Sequence, residues 1–158
     1  MNRARKPLDD ADKRILRVLQ KDGRISISEL SKKVGLSESP CQRRLKRLEN
    51  DGWIAAYGCI LDEEALGLGV SCFVLIQIHP HGDATSNQLR DLVVAIPEVV
   101  MCHAVSGEYD FLLKVVAEDN KSYAQIVNSR LLKLGNVIKI QTMFTLGVLK
   151  DGFVLPVD

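Results

Sequence analysis

Four cations lie within five residues of one short segment, GLSESPCQRRLKRLENDGW (35–53): Arg43, Arg44, Lys46 and Arg47. Apolar residues recur among them at the i, i+4, i+7 spacing of an amphipathic helix: Cys41, Leu45 and Leu48. Such a helix would bury its apolar stripe and present cations on its other side. Cationic side chains bind phosphate, and Arg and Gln side chains can also pair with base edges. Such a helix could lie in the major groove of DNA if it is the last helix of a helix-turn-helix unit.

The candidate DNA-binding residues are the polar and cationic side chains of this helix: Ser37, Ser39, Gln42, Arg43, Arg44, Lys46 and Arg47. A rotation of about 100° per residue places Ser39, Arg43 and Lys46 opposite the apolar stripe. Arg43 would pair with guanine and Gln42 with adenine, while the other cations would contact phosphates. The carboxylate of Glu38 opposes DNA binding unless it accepts from a cytosine amine. The alternative is a basic face that is only solvated.

A second candidate site is the glycine turn between two apolar strands, in VSGEYDFLLK (105–114). Gly107 lets the backbone turn sharply and lets a ligand approach closely. The carboxylates of Glu108 and Asp110 could bind an ammonium group, and free N–H groups of the turn could bind a carboxylate. Together these groups suit an amino acid, and the alternative is an ordinary hairpin turn with solvated acids. The residues of the turn that could bind such a ligand are Gly107, Glu108 and Asp110.

Three short helices would position the basic segment. Helical spacing of apolar residues predicts the first helix over 8–20. Ser26 and Glu29 form the S-x-x-E pattern of a capping box at the start of the second helix. Ser37 is the predicted cap of the third helix, and an extended strand over 54–61 follows it. Two helices joined by a tight turn and followed by a strand predict a winged helix-turn-helix.

The rest of the chain has the order strand, helix, strand, strand, helix, strand. The predicted strands cover 70–78, 99–105, 110–117 and 137–149. Helical spacing of apolar residues predicts the intervening helices, over 89–96 and 123–134. This order is that of a ferredoxin-like βαββαβ domain. The predicted fold class is therefore α+β, with a winged helix-turn-helix domain over 1–61 and a ferredoxin-like effector-binding and oligomerisation domain over 62–158.

Apolar residues occupy both faces of the predicted sheet. Residues 73–76 are all apolar, and so are residues 112–116 apart from Lys114. Because the two helices cover only one face, the other face would leave a large apolar patch, which monomers avoid. We therefore predict a homodimer formed through this face. A dimer would also present two recognition helices to two half-sites of duplex DNA.

Charge is distributed unevenly along the 158 residues. Through Ile60 there are 14 basic and 8 acidic residues, a net charge of +6, and the remainder has 7 and 12, a net charge of −5. This asymmetry indicates one part that faces a polyanion and another part with a different task. No apolar run approaches the ~20 residues of a membrane span. The chain opens without a secretory signal pattern, so we expect a cytoplasmic protein with no membrane partner.

Catalysis, a bound metal and a cofactor are not expected. The sequence contains no paired nucleophile and base, no phosphate-binding loop and no metal-ligand set. His79 and His81 form an H-x-H without a third ligand nearby, and we interpret them as turn residues. The four cysteines are far apart in sequence. We expect Cys59, Cys72 and Cys102, which lie in apolar runs, to be small buried hydrophobes in a reducing compartment.

Two segments together resemble one known family. KDGRISISELSKKVGLSESPCQRRLKRLENDGWI (21–54) is similar to the helix-turn-helix of the Lrp/AsnC (leucine-responsive and asparagine regulator) family. VSGEYDFLLK resembles the effector-domain pattern of the same family, an apolar strand followed by G-x-x-D. The resemblance covers nearly the whole chain in the family's domain order. It implies a bacterial or archaeal transcription regulator that forms dimers, which often assemble to octamers. It also implies an effector, usually an amino acid, bound near Gly107 and Asp110 between dimers. Ser106, Glu108 and Tyr109 are candidate effector-binding residues as their neighbours in the turn.

Glu38 departs from the family pattern, since many members have proline at this position, and the operator sequence is therefore left open. The sequence thus supports a sequence-specific DNA-binding transcription regulator whose assembly and operator binding respond to a small amino acid. The alternative is an architectural protein that compacts DNA without an effector, because some members of the family act without one.

Overall fold

The computed structural model describes residues 5–79, 90, 91, 93–133, 137–150, 152 and 154–158. The chain divides into two compact units, Met1–Ile60 together with Lys150–Asp158, and Leu61–Leu149. The sequence placed all of 62–158 in one domain, whereas the last nine residues group with the first unit. No helix in the described part of the chain is long and apolar enough to cross a bilayer.

The first unit contains three helices: α1 Asp10–Leu19, α2 Ile27–Val34 and α3 Glu38–Asn50. A capping box begins α2, because Ser26 accepts from the Glu29 N–H while the Glu29 carboxylate accepts from the Ser26 N–H. Gly35 ends α2 with a φ of 69°, a left-handed conformation that favours glycine. Ser37 is the N-cap of α3 but its side chain makes no capping hydrogen bond. The predicted helices are present, and Ser37 occupies the predicted cap position of α3 without a side-chain hydrogen bond.

The core of the first unit is built from the apolar stripes of the three helices. The fully or nearly fully buried side chains at its centre are Ile15, Leu30, Val34, Cys41 and Leu48. Burial of Cys41 and Leu48 agrees with the predicted inward stripe of α3, and Leu45 is half-buried beside them. Apolar surface removed from water contributes roughly 25 cal/mol per Å² to folding. This burial therefore decides which side of α3 remains in solvent.

A buried carboxylate ties α1 to α3. The Asp12 side chain is 0% exposed, and it accepts from two arginines of α3. Arg44 Nη1 donates to Asp12 Oδ1 at 2.9 Å, and Arg47 Nη2 donates to Asp12 Oδ2. Arg44 Nη1 also donates to Asp9 Oδ2 at 2.6 Å. Because a buried charge is tolerated only when it is paired and hydrogen-bonded, this cluster fixes α3 against α1.

The segment that follows α3 is not a strand. Residues 54–61 form no strand in the structure, although the sequence predicted one. An extended segment becomes a strand only when a neighbouring strand accepts its backbone hydrogen bonds, and this segment has no such neighbour among the described residues. Trp53 and Ile54 pack against the core of the first unit. Tyr57 Oη donates to Glu49 Oε1 at 2.9 Å, so side chains rather than sheet pairing hold the start of this segment.

The second unit contains a four-stranded antiparallel sheet in the order β2-β3-β1-β4. Its strands are β1 Val70–Ile78, β2 Val99–Ala104, β3 Phe111–Ala117 and β4 Val137–Phe144. This order confirms the predicted ferredoxin-like arrangement. The last strand stops at Phe144 rather than at Leu149, because β1, with which it pairs, begins at Val70. Residues 90, 91, 93 and 94 are helical, within the span predicted for the first helix of this unit.

The last helix of the second unit changes from α-helical to π-helical geometry within its length. Helix α4, Asn120–Ile126, continues as a π-helix over Val127–Leu131. The Leu132 N–H donates to Val127 O at 2.9 Å, five residues back. The Ser129 hydroxyl donates to Gln125 O at 2.5 Å and so competes with the backbone N–H that a regular helix would bring to that carbonyl. The sequence predicted one uninterrupted helix over 123–134, and residue 134 lies outside the described part of the chain.

The two faces of β1 differ in burial. Side chains that face the helices are fully buried: Cys72, Val74, Ile76 and Ile78. Phe73 and Leu75 on the opposite face are only half-buried, and their neighbour Lys114 of β3 pairs with Glu63 at 2.6 Å. The apolar residues of this second face are therefore left partly in water. Such a face is the basis of the predicted dimer, which remains a prediction.

Replacing Asp12 by alanine tests the buried cluster. Asp12→Ala removes the partner of two half-buried arginines, so we expect the first unit to lose about 3 kcal/mol of stability. Trp53 is the single tryptophan of the chain, and its emission during urea unfolding reports on this unit. Asp10→Ala is the matched control, because Asp10 lies in the same turn and is exposed. Equal losses in the two variants would contradict a structural role for Asp12.

Acid stability tests the N-cap of α1. The Asp12 N–H and then the Arg44 guanidinium lower the pKa of Asp9 from 3.8 to about 2. Because this pKa is lower in the folded chain, the stabilisation is complete above about pH 4 and is lost as the pH falls towards about 2. Asp9→Asn keeps an acceptor for the cap but cannot titrate. We expect its urea midpoint, followed by Trp53 emission, to fall less steeply over this range. Parallel curves for Asp9→Asn and the parent would contradict the assignment.

Candidate DNA-binding helix and candidate effector site

The solvent side of α3 carries one connected polar surface. Four predicted DNA-binding residues lie exposed on the helix itself: Ser39, Gln42, Arg43 and Lys46. Ser37 is also exposed at the N-cap position. In the described part of the chain, no ion pair occupies Arg43 or Lys46. Both cations are therefore available to an external anion.

Arg44 and Arg47 lie on a different side of α3. They are half-buried against α1, with 31% and 25% of their side chains exposed, and they pair with Asp9 and Asp12. The hydrogen bonds to these carboxylates raise the pKa of Arg44. The structure therefore does not bring Arg44 and Arg47 together with the outward residues, and their contact with DNA remains a prediction.

Glu38 occupies the first turn of α3 and is exposed. A carboxylate near the N-terminus of a helix interacts favourably with the partial positive charge of the free N–H groups. This placement gives Glu38 a local stabilising role that needs no DNA.

The predicted effector turn is a tight hairpin connection between β2 and β3. Gly107 has a φ of 122°, in the region that side-chain-bearing residues rarely adopt. The Val105 N–H donates to Asp110 O at 2.9 Å and closes the turn. Ser106 and Glu108 are exposed with Gly107, while Tyr109 and Asp110 are half-buried. The five predicted residues therefore do lie together, at one end of the sheet.

Asp110 anchors this hairpin to the central strand. Its N–H donates to Ile76 O at 2.9 Å, and its Oδ2 accepts from the Ile78 N–H at 2.8 Å. A carboxylate that accepts a backbone N–H satisfies a donor at the strand end that would otherwise need water. Asp110 thus has a structural role that the sequence did not predict.

Two residues of β4 complete the surface of the turn, and the sequence missed both. Lys139 Nζ pairs with Glu108 Oε1 at 2.5 Å and lies 5.0 Å from the centroid of the Tyr109 ring. The hydrogen bonds with Glu108 and then Tyr109 raise the pKa of Lys139. Tyr109 Oη donates to Gln141 Oε1 at 2.5 Å. The alternation of β4 places Lys139 and Gln141 on one face, and this spacing is the only signal of them in the sequence.

A shallow depression of about 390 Å³ lies at the Val70 end of β1. It is lined by Gly69, Val70, Ser71, Asn120, Phe144 and Thr145. None of the five predicted effector residues lines it, and β1 separates it from the Gly107 turn by its full length. The candidate effector site is therefore the Gly107 turn with its charged groups, and this depression is not part of it.

The described residues contain no group of three His, Cys, Asp or Glu side chains that could hold a metal ion. His81 lies outside the described part of the chain, so the predicted turn role of the H-x-H is untested. Cys41 and Cys72 are buried, but Cys59 and Cys102 are exposed. The prediction of burial is therefore wrong for Cys59 and Cys102. Cys59 lies in the segment without strand pairing, and Cys102 lies on the edge strand β2.

Both halves of the chain match family models. Residues 8–55 match a winged helix-turn-helix DNA-binding model, and residues 71–155 match the Lrp/AsnC ligand-binding domain. The leucine-responsive regulatory proteins of Klebsiella pneumoniae and Escherichia coli K12 are each 38% identical over 147 residues. These alignments span 93% of this chain and 90% of each relative.

Solved structures agree with these matches. A transcriptional regulator of Neisseria meningitidis in complex with L-methionine has a TM-score of 0.91 and 37% identity, and the match covers 95% of this chain and 97% of that one. The feast or famine regulatory protein of Mycobacterium tuberculosis, complexed with L-methionine, has a TM-score of 0.83 and 28% identity, over 96% of this chain and 100% of that one. Fold, length and sequence thus agree across both units, and the chain belongs to the Lrp/AsnC family of DNA-binding transcriptional regulators.

Proposed function

We propose that this regulator contacts operator DNA through the outward face of α3 and that a small amino acid bound at the Gly107 turn modulates its assembly and DNA binding. The observation that carries the DNA half is the division of α3. Arg44 and Arg47 are held by Asp12, while Arg43 and Lys46 remain exposed without an ion pair among the described residues. Because these ion pairs hold α3 against α1, the exposed cations of α3 have a constant geometry. Recognition of DNA bases requires such a geometry.

Each polar residue of α3 then has a distinct role. Arg43 pairs with guanine and Gln42 with adenine in the major groove, and Lys46 contacts a phosphate. Ser37 and Ser39, at the start of the helix, donate to phosphate or to base edges. Arg44 and Arg47 position the helix through Asp12, and the carboxylates of Asp9 and Asp12 offset their two positive charges. This function implies action in the cytoplasm of a prokaryotic cell.

The ion pair between Glu108 and Lys139 supports an amino-acid effector. An α-amino acid carries one ammonium and one carboxylate, which match the charges of Glu108 and Lys139. The ligand would exchange with this ion pair, so that its ammonium faces Glu108 and its carboxylate faces Lys139. Two relatives have been solved with L-methionine bound, which supports an amino acid as the class of ligand for this chain.

The half-buried face of the sheet supports a homodimer, because Phe73 and Leu75 would be covered by a second copy. Dimers would assemble further, to an octamer. An effector that prefers one assembly shifts the population towards it. Operator affinity then changes to the extent that the two assemblies bind DNA differently. The regulator would therefore read an amino-acid concentration as a change in assembly.

Removing the outward cations tests the DNA half. For Arg43→Ala with Lys46→Ala, we expect a loss of affinity of about 10- to 100-fold on DNA selected in vitro by the parent protein. The slope of log affinity against log salt concentration should also become shallower by about 1, because Lys46 would no longer contact a phosphate. Lys21→Ala with Arg24→Ala is the matched control, because it removes two exposed cations of the same unit that lie outside α3. Similar losses in both double variants would show that charge alone, rather than the face of α3, drives binding.

Replacing Lys139 tests the effector half. The parent is heated with each of the twenty amino acids, and a ligand that binds the folded state raises the melting temperature. We expect Lys139→Met to lose this rise while keeping DNA affinity, because it removes the partner of the ligand carboxylate. Lys133→Ala is the control for loss of an exposed cation. Asp110 is left unchanged because it anchors the hairpin. If no amino acid alters the melting temperature or the oligomer size, the effector-independent DNA-compacting protein becomes the better account.

A further inference from the structure

The C-terminal end of the chain lies on α1. The Leu155 N–H donates to Gln20 Oε1 at 2.6 Å, and Gln20 Nε2 donates back to Leu155 O at 3.2 Å. Arg17 Nε donates to Val157 O at 2.7 Å. All of these residues belong to the first unit. Three hydrogen bonds thus join the last residues of the chain to the end of α1.

The pairing between Gln20 and Leu155 is directed at the backbone. The side-chain amide of Gln20 uses both its donor and its acceptor on one residue, as a neighbouring strand would do. The side chain of Leu155 is 70% exposed and contributes little to this contact. Contacting residues alternate, at 155 and 157, which is the period of an extended segment. The site on α1 therefore recognises an extended backbone.

Val157 supplies the apolar part of the contact. Its side chain is half-buried and packs against the core of the first unit. The residues on either side of it, Pro156 and Asp158, are exposed. One apolar side chain and a short row of backbone hydrogen bonds are the elements by which grooves bind extended peptides.

From these contacts we infer that α1 carries a binding site for the chain's own last residues, 154–158, which act as a detachable C-terminal clip. The clip contacts the C-terminal end of α1. The same helix contains Asp12, which holds α3. It is detachable because its hydrogen bonds are all exposed to solvent and only one of its side chains is half-buried. The ligand class of this site is an extended peptide with an apolar residue two positions after the residue that pairs with Gln20.

Hydrogen exchange of the full chain tests the clip. In the parent, we expect the Leu155 N–H to exchange at least about tenfold more slowly than in a synthetic peptide of residues 154–158. It should still exchange faster than the N–H groups of β1. Gln20→Ala should return the rate to within about twofold of the free peptide, while Lys21→Ala, at the next position, should leave it unchanged. Exchange at the free-peptide rate in the parent would overturn the site, and exchange as slow as in β1 would overturn detachment.

Truncation gives a second and independent measurement. We expect a chain that ends at Val154 to show faster exchange in α1 and a lower urea midpoint by Trp53 emission than the parent. Adding the synthetic peptide of residues 154–158 in excess should restore both, because a ligand that binds only the folded state stabilises it. A truncated chain with unchanged exchange in α1 would overturn the proposal. Gln20→Ala in the full chain serves the same comparison if the truncated chain does not fold.

Discussion

The buried carboxylate of Asp12 is the constraint on which the first unit depends. A charge that is removed from water must be paired, and two arginines of α3 provide the pairing. The consequence reaches the surface, because Arg44 and Arg47 are drawn to one side of α3. Arg43 and Lys46 remain on the other side. An electrostatic requirement of the interior thus selects which cations of a basic helix remain exposed.

The second unit follows a comparable rule around its central strand. Alternate residues of β1 are buried under the helices, and the remaining ones lie half-exposed on the opposite face. Asp110 binds the Ile78 N–H at the end of this strand and so fixes the hairpin that contains Gly107. Glu108 and Lys139 then meet above the turn as an exposed ion pair. A carboxylate that holds the backbone and a carboxylate in an exposed ion pair therefore lie two residues apart in the same turn.

In both units, charged residues fall into two groups. Some charges are fixed inside the fold, and others of the same type are left where an external group can reach them. For Asp12 and Asp110 the partners are within the chain, whereas Arg43 and Lys46 are exposed on α3. Mutations of the two kinds differ in their effect on stability, since the first kind leaves a partner unpaired inside the fold and the second removes an exposed side chain.

The sequence alone determined the three helices, the βαββαβ order, the inward stripe of α3 and the place of the Gly107 turn. These features follow from interactions within a few residues along the chain, which periodicity and capping patterns record. Only the tertiary structure decided that Arg44 and Arg47 turn inward, that Lys139 joins the effector turn, and that the last residues return to α1. The reason is distance along the chain. Arg44 and Asp12 are 32 residues apart, Lys139 and Glu108 are 31 apart, and Leu155 and Gln20 are 135 apart. Such partners are chosen by packing, and no local pattern encodes them.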